Sequence, residues 1–147
     1  MTLAIRIFLL FILLTLLIDL ARARTIDTIV IHTTDMSPKC GAKCIDKYHK
    51  SLGWDSCGYH FIIMPDGIIE KCRDIDTIGA HVKDHNHNTI GIAWAGNKQI
   101  TDIQKRHLFW LVRVLKNYYK IPNVKAHNEF DTAGDKTCPN IDISEVR

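Results

Sequence analysis

The sequence predicts an α/β domain, a single mixed β-sheet flanked by helices, and three observations lead there. Residues 26–32 (IDTIVIH) and 89–95 (TIGIAWA) are rich in β-branched residues and read as buried strands. A tight hairpin lies between them, and stretches of helical spacing separate the extended pieces. Strands alternating with helices build a layered sheet, and the hairpin makes that sheet mixed rather than purely parallel.

The elements follow in order. Ile26 to His32 is a strand ending at a histidine, and Thr33 to Pro38 is a loop. Lys39 to Leu52 places Ile45, Tyr48 and Leu52 at spacings of three and four, an amphipathic helix that Gly53 ends. GYHFIIM at 58–64, Pro65-Asp66-Gly67 and the return run Ile68 to Cys72 form the clearest hairpin of the chain. Residues 74–88 are polar and irregular, and the strand at 89–95 follows. Thr101-Asp102-Ile103-Gln104 has the form of a capping box. Behind it Leu108, Leu111, Val112, Leu115, Tyr118 and Tyr119 keep helical spacing until Ile121-Pro122. Val124 to His127 is a short extended piece, and a loop with one helical turn completes the chain.

The first residues stand apart from this domain. Arg6 precedes an apolar run, IFLLFILLTLLI, from Ile7 to Ile18, and Ala21-Arg22-Ala23 then offers small residues around a cleavage point. That order is a secretory signal peptide. The run is shorter than the ~20 residues a membrane span needs; an uncleaved signal anchor is the other reading. The expected division is a leader at 1–23 and a domain at 24–147. The product is exported, secreted or periplasmic, and is expected to be monomeric with no stable membrane association once the leader is gone.

A chain of 147 residues, 46% apolar and 24% charged, has enough material for one core. Its formal charge of +3 suits an anionic polymer but argues against a nucleic-acid partner, because no lysine or arginine stripe concentrates it.

Five cysteines in an exported chain divide naturally into two pairs and one odd thiol. The hairpin brings Cys57 and Cys72 near each other, which makes a cross-strand disulfide geometrically reasonable; two free buried thiols are the alternative. A Cys40–Cys44 bond would strain a regular helix and would need an irregular first turn. The odd thiol is then a candidate for chemistry.

Among eight histidines, His32 and His127 fall at strand ends, where a rigid scaffold presents functional groups, and Cys138 lies in the loop after His127. Two histidines and a cysteine suit zinc and leave a fourth position for water. No local spacing links the three. A strand-end histidine also serves packing, and an odd cysteine is also a small buried hydrophobe.

Five motifs occur together in the chain: Ile31-His32-Thr33; Gly58-Tyr59-His60-Phe61 with Pro65-Asp66-Gly67; His81 with Asn86-His87-Asn88-Thr89-Ile90-Gly91; Ala126-His127-Asn128-Glu129; and Lys136-Thr137-Cys138-Pro139. In this order they resemble the type 2 N-acetylmuramoyl-L-alanine amidases and, more distantly, the animal peptidoglycan recognition proteins. The resemblance spans about residues 26 to 142. It implies an enzyme that hydrolyses the amide between N-acetylmuramic acid and L-alanine of peptidoglycan. It implies zinc (Zn2+) held by His32, His127 and Cys138, catalytic roles for Tyr59 and Lys136, and a place for His81 along the substrate groove. Some relatives bind the wall without cutting it and typically lack the cysteine ligand, so a recognition module is the alternative. Asn128 stands where the phage enzymes carry a second histidine, a position that is not a ligand. His60, next to Tyr59 on a strand, is expected in the core. His49, His85, His87 and His107 are expected at surface or structural positions, and Trp54, Trp94 and Trp110 in the core.

Overall fold

The computed structural model describes residues 3–22, 24–134 and 137–147. Helix α1 spans Leu3–Arg22, and among the described residues no helix is long and apolar enough to cross a membrane. The domain follows as β1 (Thr28–Thr33), α2 (Ala42–Ser51), β2 (Phe61–Ile63), β3 (Ile69–Lys71), β4 (Thr89–Trp94), α3 (Asp102–Tyr119) and β5 (Asn123–Ala126), with 3-10 turns at His127–Glu129 and Ser144–Val146.

The strands form one mixed sheet in the order β3-β2-β4-β1-β5. β1 runs parallel to both β4 and β5, β2 runs parallel to β4, and β3 returns antiparallel to β2. Every residue of β1 and β4 is buried, the mark of interior strands covered on both faces. The hairpin turn needs Gly67, whose φ of +87° is left-handed and whose N–H donates to the Met64 carbonyl at 2.8 Å.

Period-two alternation sorts the side chains between two layers. Ile29, Ile31, Ile63, Ile90, Ile92, Trp94, Val124 and Ala126 pack with Leu108, Leu111, Val112 and Leu115 of α3 in the main core. Val30 meets Val82 and Phe130 elsewhere, and Ile62 and Ala95 pack with Ile45 of α2. His32 lies two residues beyond Val30, away from the main core. The expected capping box opens α3: Thr101 Oγ1 accepts from the Gln104 N–H at 3.1 Å, and Gln104 Oε1 accepts from the Thr101 N–H at 3.2 Å.

Both cysteine pairs are disulfides. Cys57–Cys72 spans the hairpin with its Cα atoms 5.8 Å apart. Cys40–Cys44 has Cα atoms 5.1 Å apart, and it avoids helical strain because α2 begins only at Ala42, leaving Cys40 in the loop. Two of the three tryptophans depart from expectation. Trp94 is fully buried, but Trp54 and Trp110 are 40% and 56% exposed, and Tyr118 is 77% exposed. Trp110 lies on the outer face of α3, off the buried stripe of Leu108, Leu111, Val112 and Leu115. Trp54 follows the end of α2 and stacks on His49, with ring centroids 4.4 Å apart.

Candidate metal centre

Parallel pairing of β1 and β5 makes the two strands end side by side, so His32, near the end of β1, meets His127, the first residue after β5. Their ring centroids are 4.5 Å apart. Cys138 enters from the C-terminal loop, with its sulfur 3.9 Å from His32 Nδ1. One ligand atom from each of His32, His127 and Cys138 lies within 4.8 Å of the others. His32 and Cys138 are buried, whereas His127 is half-buried and forms the more open side. Loops at the carboxyl ends of parallel strands are the usual place for a site in α/β sheets.

Contacts among the described residues hold the cysteine and the proline after it. The Thr33 N–H points at Cys138 Sγ from 3.4 Å and favours the thiolate. The Asn128 N–H donates to the Cys138 carbonyl at 3.0 Å, and the buried Trp94 indole N–H donates to the Pro139 carbonyl at 2.8 Å. The turn carrying His127 is fastened by Glu129, which accepts from the Ala126 N–H at 2.6 Å and pairs with Arg147 at 2.7 Å.

The hydrogen bonds also fix which nitrogen of His32 is free. The Thr89 hydroxyl donates to the His85 carbonyl at 2.8 Å, since a carbonyl can only accept. Thr89 Oγ1 is therefore the acceptor for His81 Nε2–H at 3.3 Å. His81 Nδ1 then carries a lone pair and accepts from His32 Nε2–H at 3.0 Å. This leaves the His32 Nδ1 lone pair on the side of Cys138, the arrangement a ligating histidine needs. Burial above all, then the neighbouring His81 and His127, drives the His32 pKa well below its ordinary value. Burial, then His60 and His127, does the same to His81. Both rings are neutral at neutral pH, as metal ligation requires of His32.

His81 is 9% exposed and lies behind His32. Two glycines make room for its ring. A Cβ at Gly91 would stand 2.5 Å from His81 Cγ, and one at Gly79 would stand 2.6 Å from His81 Cδ2.

The half-buried Tyr59 stands just before β2, with its ring centroid 5.2 Å from that of His32. Burial, reinforced by Cys138, pushes its phenol above the usual tyrosine value, so it remains a protonated donor. His60 is wholly buried, as expected. Its Nδ1 accepts from the Gly91 N–H at 3.0 Å and its Nε2–H donates to the Thr77 carbonyl at 3.0 Å. His49 is structural, with Nδ1 accepting from the Gly58 N–H at 2.8 Å, and so is His107, which donates to the Gly67 carbonyl. Lys136 lies outside the described residues. Sequence reasoning did not identify Thr33, Trp94 and Thr89 as supports of the site. Thr33 and Thr89 left a trace, as members of the motifs with His32 and His81.

Two imidazoles, that of His32 held neutral by burial, and a buried sulfur facing an N–H donor match the chemistry of a zinc site with three protein ligands and an open position. The model of the N-acetylmuramoyl-L-alanine amidase family matches residues 22–141. The endolysin of Escherichia phage T7 is 35% identical over 127 residues, covering 80% of this chain and 82% of that protein. The solved structure of the N-acetylmuramoyl-L-alanine amidase LysC from Clostridium intestinale superposes with a TM-score of 0.76 at 32% identity, covering 85% of this chain and 84% of that one. Bumblebee PGRP-SA has a TM-score of 0.66 at 26% identity, with 80% and 78% covered. The match over most of the domain agrees with the strand-end triad, and the chain belongs to the N-acetylmuramoyl-L-alanine amidase family.

Proposed function

We propose that this chain is a zinc-dependent amidase that hydrolyses the bond between N-acetylmuramic acid and L-alanine in peptidoglycan. The observation that carries the reading is the His32–His127–Cys138 triad, complete, largely buried and half-open at His127, in a chain of this family. In the reaction a water oxygen bonds to the lactyl carbonyl carbon, the C–N bond to alanine breaks, and the amine leaves with a proton. Zinc held by the triad would supply a Lewis acid and a water acidified toward neutral pH.

The chain's own groups have separate tasks. His32, His127 and Cys138 would hold the ion, and the Thr33 N–H points at the sulfur and favours its anionic form. Tyr59, protonated and beside His32, donates a hydrogen bond to the oxygen that gains charge as the carbonyl is attacked. Lys136 is assigned, through the family resemblance, as a cationic partner for the same charge. His81 holds His32 from behind, and a place along the substrate groove is assigned to it through the family resemblance. Residues 1–23 act as an export leader, and the two disulfides support a destination outside the reducing cytoplasm. The exported domain works as a monomer.

The test is incubation of the protein with purified peptidoglycan. New alanine amino termini should appear without new reducing sugar ends, vanish with a chelator and return with zinc. Cys138→Ser should lose at least ~100-fold in rate, as expected for removal of a ligand. Sedimentation with the wall and no new amino termini would replace the amidase by a recognition module.

A further inference from the structure

The segment between β3 and β4 carries His81 but has no ladder of its own to satisfy its carbonyl groups. Arg24 supplies the missing donors. Its Nε donates to the Ile75 carbonyl at 2.7 Å. Its Nη1 faces the carbonyls of Thr89 at 3.0 Å, His87 at 3.1 Å and Asn86 at 3.3 Å. One guanidinium thus fastens both ends of the polar segment, using the rigid fork that distinguishes arginine from lysine.

Two of the residues it grips are the ones that hold His81. Asn86 Oδ1 accepts from the backbone N–H of His81 at 2.8 Å and of Val82 at 2.9 Å. Thr89 Oγ1 accepts from the His81 ring. His81 in turn accepts from His32 Nε2–H and leaves His32 Nδ1 toward Cys138. We propose that Arg24 is a positioning residue for the metal centre: by clamping the backbone at Asn86 and Thr89 it fixes His81, and through His81 the orientation and tautomer of His32. The inference rests on the reading of the triad as a metal site. It also gives the leader boundary a consequence. Cleavage after Ala23 keeps the clamp in the mature chain, whereas cleavage one residue later removes it.

The experiment compares the full chain with Arg24→Ala, Arg24→Lys and a control, Gln104→Ala. Gln104 also bridges backbone carbonyls, those of Ile63 and Ala95, but at the start of α3. Zinc affinity is read by competition with a chromophoric chelator, stability from the thermal midpoint of the metal-free protein, and the imidazoles from the 15N signals of His32 and His81. Arg24→Ala should weaken zinc binding by ~10–100-fold, the usual effect of losing a support behind a ligand, and should shift both sets of imidazole signals. Arg24→Lys should fall between Arg24→Ala and wild type. Gln104→Ala should lower the midpoint and leave zinc affinity unchanged. Wild-type zinc affinity and imidazole signals in Arg24→Ala, with only the midpoint lowered, would overturn the proposal. If Arg24→Ala does not fold, Arg24→Lys decides on the same readouts, and wild-type values there overturn it. If the wild-type chain takes up no zinc, the metal reading fails separately. The imidazole signals of the metal-free variants then decide whether Arg24 orients His32.

Discussion

Replacing Gly91 by alanine places a methyl group 2.5 Å from His81 Cγ, 2.6 Å from Cδ2 and 2.8 Å from Nδ1. Carbon atoms pack at about 3.5–4.0 Å, so the ring must retreat by roughly 1 Å. It has little room to do so, because Nδ1 is bonded to His32, Nε2 faces Thr89, and Gly79 presses close to the same ring. Retreat by that distance stretches the 3.0 Å His81–His32 bond to about 4 Å, beyond hydrogen-bonding range. Overpacking of this kind costs about 1–3 kcal/mol, of which alanine's advantage over glycine within a strand offsets about 0.5–1 kcal/mol. A further ~1 kcal/mol or more follows from the lost buried hydrogen bond. The metal-free variant is therefore expected to be about 1–3 kcal/mol less stable, and its zinc affinity to fall ~10–100-fold as His32 loses its support. Denaturant unfolding in chelator and a zinc competition titration measure the two effects. Gly134→Ala, where an added Cβ meets nothing within 4 Å, serves as control. Wild-type stability together with wild-type zinc affinity in Gly91→Ala would refute the reasoning.

Tyr59→Phe removes the protonated phenol but keeps the ring beside His32, so kcat should fall ~100–1,000-fold with the fold and zinc content intact; steady-state kinetics with metal analysis tests this. Acid should destabilise the metal-free protein. Burial, with Arg24 and Arg73 adding, lowers the His60 pKa to about 4 against 6.5 when unfolded, so between those values the unfolded chain binds more protons and stability falls as pH falls. The His60 contribution is at most roughly 3 kcal/mol, and His32 and His81 act in the same direction, so a flat unfolding profile from pH 7 to 4.5 would contradict it. Removing the Cys57–Cys72 disulfide with paired serines should cost about 3 kcal/mol, and removing Cys40–Cys44 about 2 kcal/mol, because the loops closed span 15 and 4 residues; denaturant midpoints of the two double variants give the comparison.

Much of the fold is legible in local sequence. The β-branched runs became β1 and β4, Pro65-Asp66-Gly67 became the hairpin turn, and Thr101 with Gln104 became a capping box. Boundaries moved where a local rule met a neighbour: α2 starts at Ala42 rather than Lys39, past Pro38 and the first cysteine of the Cys40–Cys44 bond. Trp110 and Tyr118 shared the helix with its buried residues but point outward, because amino-acid type does not settle which side of a helix meets the sheet. The triad could be named by likeness to a family, while its spacing in the chain offered no link.

Residue order by itself determined which segments extend, turn or coil, because periodicity, caps and turn residues act over a few positions. It also determined which side chains were available as ligands. Tertiary structure decided that His32 and His127 meet, since only the parallel pairing of β1 with β5 brings their ends together. It likewise decided that His32 offers Nδ1, because that choice passes from the Thr89 hydroxyl through His81. The anchoring of that segment by Arg24 was hidden for the same reason: a guanidinium close to one strand satisfies carbonyls far along the chain, and no local pattern records such a contact.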